Sequence, residues 1–332
     1  YGDHRDLHLS LRRQRQMCIR DSYINMEAIR IFSPATVANV GCGFDVLGFC
    51  LDKVGDEMVV KKSQRKGIFI TKIEGFELPY DVHKNVAGVS ALAMYAELDV
   101  DFGFEIEIYK QIKPGSGIGS SAASAVGSVF GMNYLLGNPF SKIELIKFAM
   151  KGEAVASKSE HADNIAPAVL GGFTLVKQSN PLEVIQLPSP DALHAVIVHP
   201  QIEIKTADSR AVLPKNIPLS DAISQWSNVG SLVHALHTSD YNLMGKSLID
   251  VVIEPHRSKL IPNFNSLRKI SLENGALGCS ISGSGPSLFS LCKGLENAKK
   301  VKANQRALMA NTDIPFETHV SIINKEGIKI LS

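Results

Sequence analysis

Apolar and polar residues alternate from Glu27 to Phe32 like a first strand, and the apolar-rich runs 46–51, 57–62 and 68–73 read with it as short strands joined by turns. Over 85–98 the pattern changes period, and Val86, Val89, Leu92, Ala93 and Ala96 fall at helical spacing. A strand follows over 104–109 and stops at Lys113-Pro114-Gly115. Helices are predicted over 118–136 and 141–157. Ser141 opens the second, with Glu144 three residues on, so that each can cap the other's backbone. Strands at 172–178 and 193–199 flank Pro181, Pro188 and Pro190, which places a domain boundary after residue 187. The second half predicts helices over 206–213, 219–236, 239–250 and 263–275, then a Gly/Ser loop over 278–285. A strand at 288–292, a helix at 295–312 and a strand at 316–322 complete it. Strands followed by helices in both halves predict α+β rather than a doubly wound sheet.

Residues 1–25 stand outside this pattern. They hold five Arg, three Asp, no Lys and almost no apolar periodicity. They have neither the apolar run of a secretory signal nor the amphipathic stripe of a transit peptide. The string Gln16-Met17-Cys18-Ile19-Arg20-Asp21-Ser22 resembles a translated sequencing adaptor. Residues 1–25 are therefore expected to be a non-native or disordered leader, with the native start at Met26. Their excess of two positive charges equals the formal net charge of the 332-residue chain, +2. The rest is formally neutral, which argues against a nucleic-acid partner held through phosphates. No charge occurs between Lys113 and Lys142, but Ser116, Ser120, Ser121, Ser124, Ser128 and Asn133 interrupt that stretch, so a buried helix is expected and not a membrane span. Five cysteines without a CxxC pair fit a reducing, cytoplasmic setting.

The strongest chemical signal is Pro114-Gly-Ser-Gly-Ile-Gly-Ser-Ser-Ala-Ala-Ser124, which follows a strand and opens a helix. There several backbone N–H groups converge at the positive end of a helix, and glycines let a phosphate approach them. A Walker loop would need a Lys after the glycines, and none is present. The dinucleotide fingerprint is half met, and the acidic residue expected about 20 positions on is missing.

That loop resembles the phosphate loop of the GHMP kinases, which phosphorylate small metabolites with ATP. Three further segments are similar to motifs of the homoserine kinase branch: Pro34-Ala-Thr-Val-Ala-Asn-Val-Gly-Cys-Gly-Phe-Asp45, Glu160-His-Ala-Asp-Asn-Ile-Ala-Pro-Ala-Val-Leu-Gly-Gly172 and Gly278-Cys-Ser-Ile-Ser-Gly-Ser-Gly-Pro-Ser287. The resemblance runs from Met26 to the C-terminus. It implies a two-domain α+β fold, with an ATP-binding domain over 26–187 and a ferredoxin-like α/β-plait domain over 188–332. The implied reaction is Mg²⁺-dependent transfer of the ATP γ-phosphoryl group to the hydroxyl of L-homoserine, a step of threonine biosynthesis.

The resemblance also implies residue roles. Pro114, Gly115, Ser116, Gly117, Ile118, Gly119, Ser120, Ser121 and Ala122 would line the nucleotide phosphates, with Asn85 on the adenine side and Lys110 nearby. Ser121 and Glu153 would ligate Mg²⁺, which takes only about one or two protein ligands when phosphates hold it. Arg210 and Arg257 would bind the carboxylate, since a guanidinium fork suits it bidentately. Asp45 would pair with the ammonium, Asn39 would orient it, Thr206 would lie near the substrate, and Asn164 would hydrogen-bond the reacting hydroxyl. Asp163 would either support that loop or receive the hydroxyl proton. His161 reads as structural, and the second glycine loop is expected to close against the first. Two alternatives stand beside this reading: a sibling kinase with another substrate, and a non-catalytic sensor. Asp45, Arg210 and Arg257 form a set suited to a zwitterion, and a sensor would be expected to lack Ser121 or Glu153. A homodimer is compatible with the family; no membrane partner is expected.

Overall fold

The computed structural model describes residues 26–157, 160–204 and 206–331, so the expected leader lies outside the described residues. Eleven strands and ten α-helices follow in chain order among the described residues. The first half comprises β1 (Ala28–Ala38), β2 (Leu47–Ser63), β3 (Gly67–Glu74), α1 (Val86–Tyr95), β4 (Gly103–Tyr109), α2 (Ser120–Leu135), α3 (Lys142–Ser157), α4 (Ile165–Leu170), β5 (Phe173–Ser179) and β6 (Leu182–Leu187). The second comprises β7 (Leu193–Pro200), α5 (Thr206–Ala211), α6 (Leu219–Thr238), α7 (Tyr241–Ser247), α8 (Glu254–Arg257), α9 (Phe264–Glu273), β8 (Ala276–Ile281), β9 (Leu288–Lys293), α10 (Leu295–Met309), β10 (Phe316–Ile322) and β11 (Lys329–Leu331).

The first sheet runs β11-β1-β2-β4-β3, with β5 paired to the start of β2 and β6 to β5. Its spine is β2, a single 17-residue strand where the sequence predicts two. Between the two predicted segments lies Asp56, which is fully buried and whose charge is met by Lys110. Helices α1 to α4 cover one face of this sheet. Of the 16 residues of α2, 13 are buried, which explains the absence of charge along it. Gly127 and Gly131 are where this helix meets β2: a Cβ would lie 2.2 Å from Met58 Sδ at the first and 2.4 Å from Val60 Cγ2 at the second. Their spacing serves helix-on-sheet packing. Among the described residues, no helix is long and apolar enough to cross a membrane.

The second sheet is wholly antiparallel, in the order β10-β7-β9-β8. Strand, helices, hairpin, helix and strand in that order make the expected ferredoxin-like plait. Two details differ from the sequence reading. The segment 278–285 is strand up to Ile281, and only its second half is loop. The chain also returns at its end, where β11 pairs with β1 through Arg30 and Leu331.

The two sheets share a core. Phe49 of β2 packs 5.0 Å from the ring of Phe173 and 5.8 Å from that of Phe289 in β9. Val37, Leu51, Ala195, Ile197, Leu291 and Ile323 belong to the same buried cluster. Burial of this kind is non-directional but cumulative, at about 25 cal/mol per Å² of apolar surface. It fixes the loops of one half against those of the other.

Candidate active site

Gly119, at φ +69°, ends the phosphate loop and starts α2, and a Cβ there would lie 2.1 Å from Thr36 Oγ1. Glycine is needed for the left-handed turn and for this approach to β1. No side chain caps the helix, so its first-turn N–H groups remain donors for an anion. The loop rests on a buried network. Lys110 pairs with Asp56 and donates to the Ser120 carbonyl at 2.6 Å and to Ser124 Oγ at 2.9 Å. Ser120 Oγ donates to the Ile112 carbonyl at 3.0 Å. The second glycine loop docks on the first, as expected: Ser282 Oγ donates to the Gly117 carbonyl at 2.7 Å, and the Ser287 N–H donates to the Ser116 carbonyl at 3.3 Å.

Around this junction lies a cavity of about 340 Å³. Of the residues expected at the site, it is lined by Asn39, Asp45, Asn85, Lys110, Pro114, Gly115, Gly117, Gly119, Ser120, Ser121, Glu153, Asp163, Asn164, Arg210 and Arg257. Three others sit elsewhere: Ser116, Ile118 and Ala122 are buried and outside the lining, because the loop alternates between cavity and core. The side chain of Thr206 lies outside the described residues. Asn85 lines the cavity while capping α1: its Oδ1 accepts from the Ala87 N–H at 2.9 Å and its Nδ2 donates to the Pro79 carbonyl at 2.8 Å. Leu78, Pro79, Lys84, Val86, Glu203 and Ile204 also line the cavity and were not anticipated. Adjacency to Asn85 and to the segment before Arg210 was the only signal available for them.

Glu153 and Ser121 both line the cavity and are joined by a side-chain hydrogen bond. Part of Glu153 reaches the surface, but its Oε2 is buried. Burial pushes the carboxyl up to about 7, against the opposing pull of Ser121 and Lys110. In the same lining, Arg210 donates to Asp45 Oδ1 at 3.2 Å and Oδ2 at 3.3 Å. It also donates to His161 Nε2 at 2.7 Å. A guanidinium only donates, so this His161 nitrogen accepts and the ring is neutral. Burial holds the His161 pKa down; Asp45 opposes this, while Arg210 and Arg257 reinforce it. Both guanidinium groups lie over the Phe44 ring, at 5.8 Å and 4.9 Å.

Arg257 is buried and donates through Nε to the Ser209 carbonyl at 3.0 Å and through NH1 to the Gly283 carbonyl at 3.1 Å. Asn39 donates to the same Gly283 carbonyl at 2.7 Å and accepts from the Asp45 N–H at 3.1 Å. Asn164 Oδ1 accepts from Thr36 Oγ1 at 2.8 Å. Asp163 is 5% exposed. Burial, then the charges of Asp45 and Glu153, push its carboxyl up to about 7. An anion-receptive helix end, a buried carboxylate beside a serine, and an adjacent cation–anion pair thus share one cavity.

The sequence matches family models for the GHMP kinases N terminal domain over residues 84–172 and for GHMP kinases C terminal over 226–311. It is 44% identical over 320 residues to the homoserine kinase of Chlorobium phaeobacteroides strain DSM 266, covering 92% of this chain and all of that protein. It is 40% identical over 271 residues to the homoserine kinase of Pyrococcus abyssi, covering 82% of this chain and 90% of that one. The crystal structure of homoserine kinase from Cytophaga hutchinsonii superposes with a TM-score of 0.89 at 47% identity, over 92% of this chain and 98% of that one. The mevalonate kinase of Methanococcus jannaschii, at 15% identity and a TM-score of 0.65, shares the fold over 90% of this chain and 99% of that one.

Proposed function

The chain belongs to the homoserine kinase family of the GHMP kinases, and on that premise we propose how its cavity phosphorylates the side-chain hydroxyl of L-homoserine with ATP. The observation that carries the substrate is the Asp45–Arg210 pair. Adjacent charges of opposite sign complement a zwitterion, which sugars and mevalonate are not. Arg210 receives the carboxylate bidentately, Asp45 the ammonium. Arg257 and Asn39, tied to Gly283, hold the second loop and Asp45 in place.

Phosphoryl transfer is mainly positioning and charge neutralisation. The N–H groups of the phosphate loop and the α2 terminus neutralise the nucleotide phosphates. Leu78, Pro79 and Val86 supply an apolar wall for the base. The residues present fit a magnesium ion: Ser121 and Glu153 are hard oxygen donors already in contact, and Glu153 Oε2 is buried. Among the described residues no group of three or more His, Cys, Asp or Glu could hold a metal alone, so the remaining ligands would be phosphate and water. The ion, when bound, would neutralise charge developing on the transferred group.

Asn164, placed by Thr36, orients the attacking hydroxyl. Asp163 accepts the Asn164 N–H at 3.1 Å and supports that turn; no side-chain base is assigned. Residues 26–187 form the ATP-binding domain and 188–332 the second. Cys42, Cys50, Cys279 and Cys292 are free and buried, which suits a cytoplasmic enzyme.

Arg210→Ala tests the assignment. It removes a charge-assisted hydrogen bond worth about 1.5–3 kcal/mol, so the homoserine KM is expected to rise roughly 10- to 100-fold with the ATP KM unchanged. An unchanged homoserine KM would contradict it.

A further inference from the structure

A second cavity, of about 100 Å³, opens where the two sheets meet and shares no lining residue with the first. Its walls come from three places. Lys53 lies in the stretch of β2 where its pairing with β1 shifts register; Lys113 precedes the phosphate loop and Ile118 lies within it; His199 of β7 and Glu317 and His319 of β10 supply the rest. The polar groups here form a relay whose proton positions can be read. Lys113 Nζ donates to Gln201 Oε1 at 3.1 Å, which turns the Gln201 amide nitrogen toward His199 Nδ1, 3.1 Å away. An amide nitrogen can only donate, so His199 Nδ1 accepts and the proton of the neutral ring sits on Nε2.

His199 is 2% exposed. Burial, with Lys113 and His319 nearby, holds its pKa down at about 4, so the ring is neutral at physiological pH. Its Nε2 is buried and meets no acceptor among the described residues. Most buried donors are paired, and one without an acceptor asks what partner it has. Lys53, in the same lining, holds a left-handed backbone, φ +59°, where the pairing of β2 with β1 shifts register. The single carboxylate in the lining, Glu317, is 60% exposed and faces His319 Nε2 at 3.7 Å. Besides His319, which faces that carboxylate, the lining offers two ammonium groups and the His199 N–H.

We propose that this cavity binds a small oxyanion, a carboxylate or a phosphate, between Lys53, Lys113 and His199. The size suits an ion of a few heavy atoms. Lys113 directly precedes the loop that receives the nucleotide and Ile118 lies within it, so the bound anion would touch the base of that loop.

The test uses the full chain with its main cavity saturated by a non-hydrolysable ATP analogue, so that the phosphate loop cannot report. Acetate and inorganic phosphate are titrated separately while the imidazole ¹H–¹⁵N signal of His199 is followed, assigned by its loss in His199→Gln. A saturable shift with acetate alone identifies a carboxylate site, and with phosphate alone a phosphate site. Lys53→Ala removes one charged donor at an exposed position. It is expected to weaken the anion at least about tenfold, with turnover in anion-poor buffer equal to the parent's. No shift with either ion, or equal shifts in Lys53→Ala, would overturn the proposal and leave the His199 proton to water.

Discussion

Replacing Lys110 by Met asks whether that ammonium serves the nucleotide or the scaffold under it. The Lys110 and Asp56 side chains are 2% and 0% exposed. Asp56 Oδ1 accepts the N–H groups of Gln111 at 2.8 Å and Ile112 at 2.9 Å, while Oδ2 takes the ammonium. Methionine fills much of the same volume, so the cost is one of charge and not of a void. Removing one member of a buried ion pair costs about 3–5 kcal/mol, because the other charge stays buried and uncompensated. The two N–H groups that Asp56 keeps put the expectation at the lower end, about 3 kcal/mol. In Lys110→Met/Asp56→Asn both charges are gone, and most of that loss should return, since a neutral replacement of similar volume is often tolerated. Urea unfolding without nucleotide measures all three proteins, and the ATP KM is read alongside. The reasoning is refuted if Lys110→Met unfolds at the parent's midpoint while its ATP KM rises about tenfold or more. Lys110 would then be a nucleotide contact.

Two further outcomes are expected. Glu153→Gln should lower Mg²⁺-dependent turnover by more than about a hundredfold, beyond what an outer partner of a metal site usually costs, without lowering the unfolding midpoint. Near-normal turnover would remove Glu153 from the metal. For Asp163, the folded-state pKa of about 7 lies above its ordinary 3.8. The folded protein binds that proton more tightly, so the contribution to stability is full below the ordinary value and is lost as pH rises through 7. At about 1.4 kcal/mol per pKa unit, the loss is at most about 4 kcal/mol. Asp163→Asn should therefore be more stable than the parent at about pH 8, with the gap less than half as large at about pH 5 and closing only below the ordinary 3.8. Thermal unfolding that shows equal destabilisation at both would contradict the assigned cause.

The phosphate loop was legible because three glycines, a strand before and a helix after leave few other readings. Asp45, Arg210 and Arg257 were legible only through the motifs around them, since a single charged residue in a sequence carries no address. Other features were hidden for physical reasons. Asp56 falls between the two segments predicted as separate strands, and its partner, which lets it be buried inside one strand, is 54 positions away. Ser280 looks like part of a flexible loop, yet it sits in β8 and bonds the buried Glu254. Strand β11 has three residues and pairs with β1, nearly 300 positions earlier, a contact no local pattern encodes. Within the loop, the sequence showed that Ser116, Ile118 and Ala122 belong to the motif but not that their side chains turn into the core. Lys84, Glu203 and Ile204 reach the cavity from segments without a motif.

The most direct test of the central claim is an ATP-consumption assay of the purified protein across L-homoserine, mevalonate, galactose and shikimate with Mg²⁺ present. The Asp45–Arg210 pair predicts a kcat/KM for L-homoserine well above that for each of the other three, none of which is a zwitterion. Equal or greater turnover of any of them would contradict the account.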